Sequence, residues 1–242
     1  MSKKCVTLLM SLALILGILA TPSMKPAKAA VNAQKITVQT LQNDLSKKAK
    51  TDSLAKEAYA DFQKLSPQKK QKLVNYLQDE KILKELLNQT DSTKNGTKKL
   101  YNGDVQIDTV VSQTSASPSV QASLQATSTV SAAATKYRKA TITHSQKILG
   151  VTVTKLTSWV NYTHNGTKVT GVSSNGASAR NLNIAVSIDD KVSKPWKTST
   201  RAYSVTTWKG YAIYKGFGIR LDKEQQVWGD NKNRTGGYLK NI

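Results

Sequence analysis

Residues that could support catalysis or hold a metal are few and widely spaced in this sequence. Only two histidines occur, His144 and His164, and the single cysteine, Cys5, lies near the N-terminus. Their spacing matches no zinc-binding pattern, and no motif for a nucleophilic serine, a phosphate loop or a dinucleotide is present. The sequence therefore predicts no metal, no cofactor and no enzymatic activity, and we expect both histidines to face solvent on strands.

The acidic residues after position 100 could act only if the fold brought two or three of them together. A glycosidase needs two facing carboxylates, but Asp189 and Asp190 are adjacent in a segment predicted to be a turn, where Asp is common. Asp222 and Glu224 share one face of a predicted strand, and Asp230 follows them. A calcium site built from these three is an alternative, although their spacing is not that of an EF-hand loop.

A more informative pattern is the alternation of aromatic and basic residues between positions 194 and 217. Aromatic faces beside cations suit the binding of sugar rings, lipid headgroups or nucleic-acid bases. Strand alternation alone would give the same pattern, with aromatic side chains in the core and lysines outside. The candidate binding residues are Lys194, Trp196, Lys197, Arg201, Trp208, Lys209, Tyr211, Tyr214 and Lys215.

The elements that must position these residues fall into two unlike parts. Residues 30–100 show helical periodicity, with Ser66 suited to an N-cap and Pro67 to the first helical position. Residues 136–242 are rich in Thr, Val, Tyr, Trp and Ile, and turn signals recur at short spacing. The predicted fold class is therefore α+β: a small N-terminal helical bundle or hairpin, then an antiparallel β-sandwich or small barrel.

Turn residues divide the β region into six to eight predicted strands. Asn165-Gly166, between two apolar runs, predicts a hairpin with a type I′ turn, in which both central residues need positive φ. Asn175-Gly176 predicts another turn, and Gly150 a third. These signals place the β domain at residues 136–242.

Residues 101–135 connect the two parts. Within 112–135, 17 of the 24 residues are Ser, Thr or Ala, with no charge and no aromatic side chain. This composition buries too little apolar surface to offset chain entropy, so it predicts a flexible linker. Alternation at Val105, Ile107 and Thr109 predicts a strand before that linker, which leaves open whether residues 101–111 belong to the β domain.

The first 29 residues have the pattern of a cleavable secretory signal. Lys3 and Lys4 precede an apolar run, Val6–Ala20, which is too short for a permanent span of the bilayer. Ala27 and Ala29 are the small residues that signal peptidase recognises, so cleavage after Ala29 is predicted, with an uncleaved anchor as the alternative. The expected location is extracellular, with the protein free or loosely associated with a cell wall.

The net charge is strongly positive, +21 for the whole chain. Removal of residues 1–29 leaves 32 basic and 15 acidic residues, a net charge of +17. Such a charge favours association with polyanions, and the predicted partners are anionic polymers of the cell envelope. Alternatively, the charge serves only solubility and passage through an anionic wall. No second long apolar run is present, so we expect no stable membrane span.

The segment FQKLSPQKKQKLVNYLQ, a Ser/Thr-rich linker and KILGVTVTKLTSWVNYTHNGTKVTGV together resemble a loose group of uncharacterised secreted proteins of Gram-positive bacilli. The resemblance implies a compartment and an architecture, but no activity. The first hypothesis is thus a secreted, non-enzymatic basic protein that associates with anionic envelope or extracellular polymers. The alternative is a secreted antagonistic protein, bacteriocin-like or toxin-like, with residues 30–100 as a pro-segment.

Overall fold

The computed structural model describes residues 36–89, 91–92, 95–116, 135–183, 186–214 and 217–242. The predicted signal peptide, with Cys5, and most of the predicted linker lie outside these residues. The described part contains four α-helices, α1 (Val38–Lys48), α2 (Ser53–Gln63), α3 (Pro67–Leu77) and α4 (Glu80–Asn88), and one 3₁₀ turn, Tyr101–Gly103. None of them is long and apolar enough to cross a bilayer.

A side-chain cap begins each helix. Thr37, Asp52, Ser66 and Asp79 each accept a hydrogen bond from a backbone N–H of the first turn. These N–H groups have no partner inside the helix, so the cap satisfies donors that would otherwise be left to water. The prediction that Ser66 caps a helix starting at Pro67 is confirmed.

Eleven strands follow the helices within the described residues, and all of their pairings are antiparallel. They are β1 (Asp91–Ser92), β2 (Gly96–Leu100), β3 (Val105–Ser115), β4 (Lys136–Ile148), β5 (Val151–His164), β6 (Val169–Asn181), β7 (Val186–Val192), β8 (Trp196–Lys197), β9 (Arg201–Tyr214), β10 (Phe217–Asp230) and β11 (Thr235–Asn241).

The strands form two separate sheets. One has five strands in the order β2-β3-β4-β5-β6, and the other has six, in the order β1-β11-β10-β9-β7 with β8 also paired to β9. The predicted strand near residues 101–111 is therefore β3, which lies inside the five-stranded sheet between β2 and β4.

The inner faces of the two sheets pack together as a sandwich. Ala140, Ile142 and Val160 of one sheet contact Ala202 and Val227 of the other, and all five side chains are fully buried. Apolar side chains at every second position are expected on a sheet with one buried face. The predicted α+β class is confirmed, and of its two alternatives for the β part the sandwich is observed.

The helices share a core with the strands. Phe62 and Leu73 belong to the same buried cluster as Val105, Ile148 and Val153. Residues 33–242 group as one compact unit. The four helices of the N-terminal part therefore share their core with the β-sandwich.

The turns differ from their prediction in three places. The hairpin after His164 has a four-residue loop, Asn165–Lys168, in which the Asn165 side chain accepts hydrogen bonds from the N–H groups of Thr167 and Lys168. The two-residue loop with positive φ at both positions is instead Leu149-Gly150, at φ 52° and 84°, which suits a type I′ turn.

Asn175-Gly176 does not turn the chain but continues β6. A Cβ on Gly176 would come within 2.2 Å of the Trp159 ring on β5, so this glycine makes room for an aromatic ring and not for a turn. Asp189 and Asp190, also predicted to form a turn, lie within β7.

Candidate functional site

A row of aromatic residues crosses the outer face of the six-stranded sheet. The strand register pairs Trp196 with Tyr203, Tyr203 with Trp228, and Trp228 with Gly236. Paired residues on antiparallel strands point to the same face, so the three rings lie side by side over four strands. We call Trp196, Tyr203 and Trp228, together with Lys194 and Arg201, the aromatic corner.

Trp196 and Tyr203 are stacked, with ring centroids 5.2 Å apart and planes inclined by 9°. Trp196 keeps 42% of its surface exposed, which is unusual for a side chain of this size. A large apolar ring that is held in place by a neighbour and still open to solvent is well suited to stack on a ligand, because little rotational freedom is lost on binding.

Arg201 and Gly236 fix the third ring. The Arg201 guanidinium lies 4.1 Å from the centroid of the Trp228 ring, within the range of a cation–π contact. On the opposite strand, a Cβ on Gly236 would come within 2.5 Å of the same ring. The Trp228 ring therefore packs against Gly236 and contacts the Arg201 guanidinium. Among the described residues, Arg201 has no carboxylate partner.

One lysine completes the corner. Lys194 lies in the segment before β8, two residues from Trp196, and is exposed. Lys197 is also exposed, but it follows Trp196 on β8 and pairs with the buried Ala202, so alternation points it to the opposite face of the sheet. Within the described ranges neither lysine makes an ion pair. The corner thus presents aromatic rings beside two cations, Lys194 and Arg201, that no carboxylate of the described residues neutralises.

The remaining candidate residues lie elsewhere. Lys209 and Tyr211 are exposed on β9, and Tyr211 is eight residues from Tyr203, roughly 27 Å along the strand. They do not belong to the aromatic corner. The side chain of Tyr214 and the whole of Lys215 lie outside the described residues.

Trp208 was predicted to bind at the surface, and this prediction is wrong. It is only 2% exposed, and its indole N–H donates to Oε1 of Gln225 at 3.0 Å. The reason is strand alternation. Tyr203 faces outward, so Trp208, five positions later on the same strand, faces the core.

The prediction that the histidines face solvent is also wrong. His144 and His164 point from β4 and β5 into the sandwich and are 3% and 0% exposed. Burial lowers the pKa of His144 to about 4, with a further contribution from the charge of Lys223. Burial also lowers the pKa of His164, although its hydrogen bond to Asn233 acts in the opposite direction. Both rings are structural groups of the core.

A polar network surrounds His144 between the two sheets. Oε1 of Gln225 accepts from Ser158 at 2.7 Å and from Trp208, while its amide N–H donates to Nδ1 of His144 at 2.7 Å. Ser158 also contacts the hydroxyl of Thr206 at 2.9 Å. Sequence patterns did not reveal this network, because isolated polar residues in alternating strands look the same whether they face inward or outward.

The carboxylates considered for calcium are bound to cations of the protein. Asp222 pairs with Arg220 at 2.9 Å, Glu224 with Lys240 at 2.9 Å, and Asp230 with Arg234 at 2.6 Å. The Arg220 side chain holds the pKa of Asp222 below its usual range, and hydrogen bonds from Tyr238 and Lys240 lower that of Glu224. In the part of the chain that the structure describes, no three His, Cys, Asp or Glu side chains converge as a metal site.

The aromatic corner could not be predicted in full from the sequence, because strand register brings its residues together. The sequence suggested Trp196 and Arg201, but Trp228 and Gly236 lie 25 residues or more further along the chain and join them only through strand pairing. No protein-family model, curated protein or solved structure matches this chain. Functional inference therefore depends on the geometry itself.

Proposed function

We propose that this is a secreted, non-enzymatic binding protein whose aromatic corner associates with anionic polysaccharides of the cell envelope or extracellular matrix. The observation that carries the proposal is the stacked pair of Trp196 and Tyr203 beside Lys194 and Arg201. Export is supported by the sequence of residues 1–29, and the charge of the mature chain, +17, favours polyanions.

Each part of the corner supplies a different component of binding. The open face of Trp196 offers apolar contact to a sugar ring, which has C–H groups on its own faces. Lys194 and Arg201 attract the carboxylates or phosphates of the polymer, and this attraction weakens as salt is added. Rings without cations would favour neutral glycans, and cations without rings would favour any polyanion. The combination favours an anionic glycan.

The alternative, an antagonistic protein with a helical pro-segment, gains no support from the packing. Release of residues 30–100 would remove β2 from its sheet and would expose the apolar side chains that the helices cover, among them Val105, Ile148 and Val153. Exposing such a cluster to water is strongly unfavourable.

The test is retention of residues 30–242 on immobilised wall teichoic acid, an acidic polysaccharide and a neutral polysaccharide at low and high salt. We expect retention on the two anionic polymers only, and its loss at high salt. Trp196→Ala should weaken binding roughly tenfold, or about 1.4 kcal/mol. The matched control is Tyr211→Ala, which removes an equally exposed ring on the same sheet outside the corner. No retention at low salt, or an equal loss in both variants, would overturn the proposal.

A further inference from the structure

A cavity lies between helix α4 and one end of the sandwich, remote from the aromatic corner. Most of its wall is apolar, and the main contributors are Leu83, Leu86 and Leu87 of α4, Val186 and Ile188 of β7, and Trp208 of β9. Its volume is about 40 Å³, counted as the space that the centre of a water-sized sphere can reach. A single water needs roughly 10–15 Å³ on this measure, so the cavity has room for more than one.

The cavity opens to solvent on one side. Leu87, Val186 and Ile188 are half-buried, whereas Leu83, Leu86 and Trp208 are buried. The half-buried residues therefore form the mouth and the others form the floor. Apolar cavities of this kind bind apolar molecules in preference to water, because water gains few hydrogen bonds there.

One cation belongs to the wall. Lys223 on β10 is only 6% exposed, and its ammonium donates to Oδ1 of Asn241 at 2.7 Å and to the carbonyl of Gln89. Both partners are neutral. Among the residues that the structure describes, no carboxylate lies within ion-pair distance of Lys223.

A buried ammonium without a counter-ion is energetically unfavourable. Burial lowers the pKa of Lys223 to about 8, yet the side chain is still mostly charged near neutral pH. A Met of similar shape at position 223 would avoid the cost of burying the ammonium. An anion that enters the cavity would gain a charge-assisted hydrogen bond and would relieve the unpaired charge.

We infer that the cavity binds a small anionic amphiphile, namely a molecule with one short apolar chain and a carboxylate. The chain packs against the leucines of α4 and against Trp208, and the carboxylate pairs with Lys223. This site is independent of the aromatic corner, so it goes beyond the proposed function.

The test compares octanoate with octanol near neutral pH by calorimetry, using residues 30–242. We expect octanoate to bind at least about tenfold more tightly, because only the carboxylate can form an ion pair with Lys223. Lys223→Met should remove this preference and leave octanol binding unchanged. The matched control is Lys209→Met, which removes an exposed lysine from the neighbouring strand and should change neither affinity.

A second variant covers the case in which Lys223→Met fails to fold. Val186→Phe narrows the mouth at an edge strand, where the added volume disturbs the core least, and should abolish binding of both compounds in a protein with native circular dichroism. The inference is overturned if wild type binds neither compound, if it binds both equally, or if folded Val186→Phe binds octanoate as wild type does. None of these outcomes affects polysaccharide retention, which tests the other proposal.

Discussion

At the scale of single residues, Gln225 sets the protonation of the buried histidine beside it. The indole N–H of Trp208 can only donate, so it fixes Oε1 of Gln225 as an acceptor and turns the amide N–H toward His144. Nδ1 of His144 must then accept, and the neutral ring carries its proton on Nε2. A proton added to Nδ1 would break this hydrogen bond and place a charge in the core near Lys223.

His144 should therefore make stability depend on pH. Its pKa is about 4 in the folded protein against an ordinary value of 6.5, so the unfolded chain binds more protons between these two values. Its contribution is complete above pH 6.5 and is lost as pH falls toward 4. The integrated effect is about 3 kcal/mol.

Urea unfolding at several pH values between these limits would measure the effect. In His144→Gln, whose side chain does not titrate, the free energy of unfolding should fall less than in wild type over the same interval. Parallel pH profiles of the two proteins would show that the ring is protonated in the folded state as readily as in the unfolded chain, contrary to the expectation.

Gly237 is a second residue whose replacement has a definite expected cost. A Cβ there would lie 2.0 Å from the backbone carbonyl oxygen of Gln226 and 3.0 Å from Ile142, and backbone atoms cannot move aside. Gly237→Ala should lower the free energy of unfolding by about 3 kcal/mol. Gly96→Ala is the control, because nothing lies within 4 Å of its added methyl group, and the change should stay within about 0.5 kcal/mol.

At the scale of elements, helix α2 docks through a fully buried ring, that of Phe62. Phe62→Ala should cost about 3–5 kcal/mol, because the cavity left behind can collapse only in part. Gln63→Ala, an exposed change on the same helix, should have almost no effect.

Phe62→Ala also tests whether helices and strands unfold together. All four tryptophans, Trp159, Trp196, Trp208 and Trp228, lie on strands, so their fluorescence reports on the sheets alone, whereas far-ultraviolet ellipticity also reports on the helices. Because the helices and the strands share a core, the unfolding transitions followed by fluorescence and by ellipticity should shift by the same amount in Phe62→Ala. A helical transition that precedes an unchanged fluorescence transition would contradict the shared core.

The sequence predicted which segments are helices and which are strands better than it predicted which residues of other segments pack against them. Caps such as Ser66 act within one turn, so local spacing suffices to locate them. Gly176 and Gly236 were uninformative or misleading, because each serves a tryptophan on an adjacent strand. Alternation places every second residue of a strand on the same face, but it does not say which of the two sets faces the core. In β9, apolar and aromatic residues occur in both sets, so the sequence pattern does not decide between them. Trp208 was misassigned for this reason.

At the scale of the whole molecule, the α+β class and its antiparallel sandwich followed from composition and periodicity, but the relation of the helices to the sheets did not. A low-complexity segment between two dissimilar regions resembles a boundary between domains. Here, β3 includes the first four residues of that segment, Ser112–Ser115, which are strand and not linker; β4 follows the segment, and the two strands are paired along eleven residues. Whether a linker joins two bodies or two neighbouring strands of one sheet depends on tertiary contacts, which local composition does not record.

The pairing of β1 with β11 determines when folding of this protein can be completed. Asp91 pairs with Leu239, so the six-stranded sheet joins residues about 150 positions apart. Contacts this distant in sequence form late and slow down folding, because a long loop must close before they contribute any stability. For a chain exported as proposed, with its N-terminus first, the helices emerge well before β11, the strand that completes the six-stranded sheet. We expect such a chain to stay unfolded, and therefore able to pass through a membrane, until that strand is available.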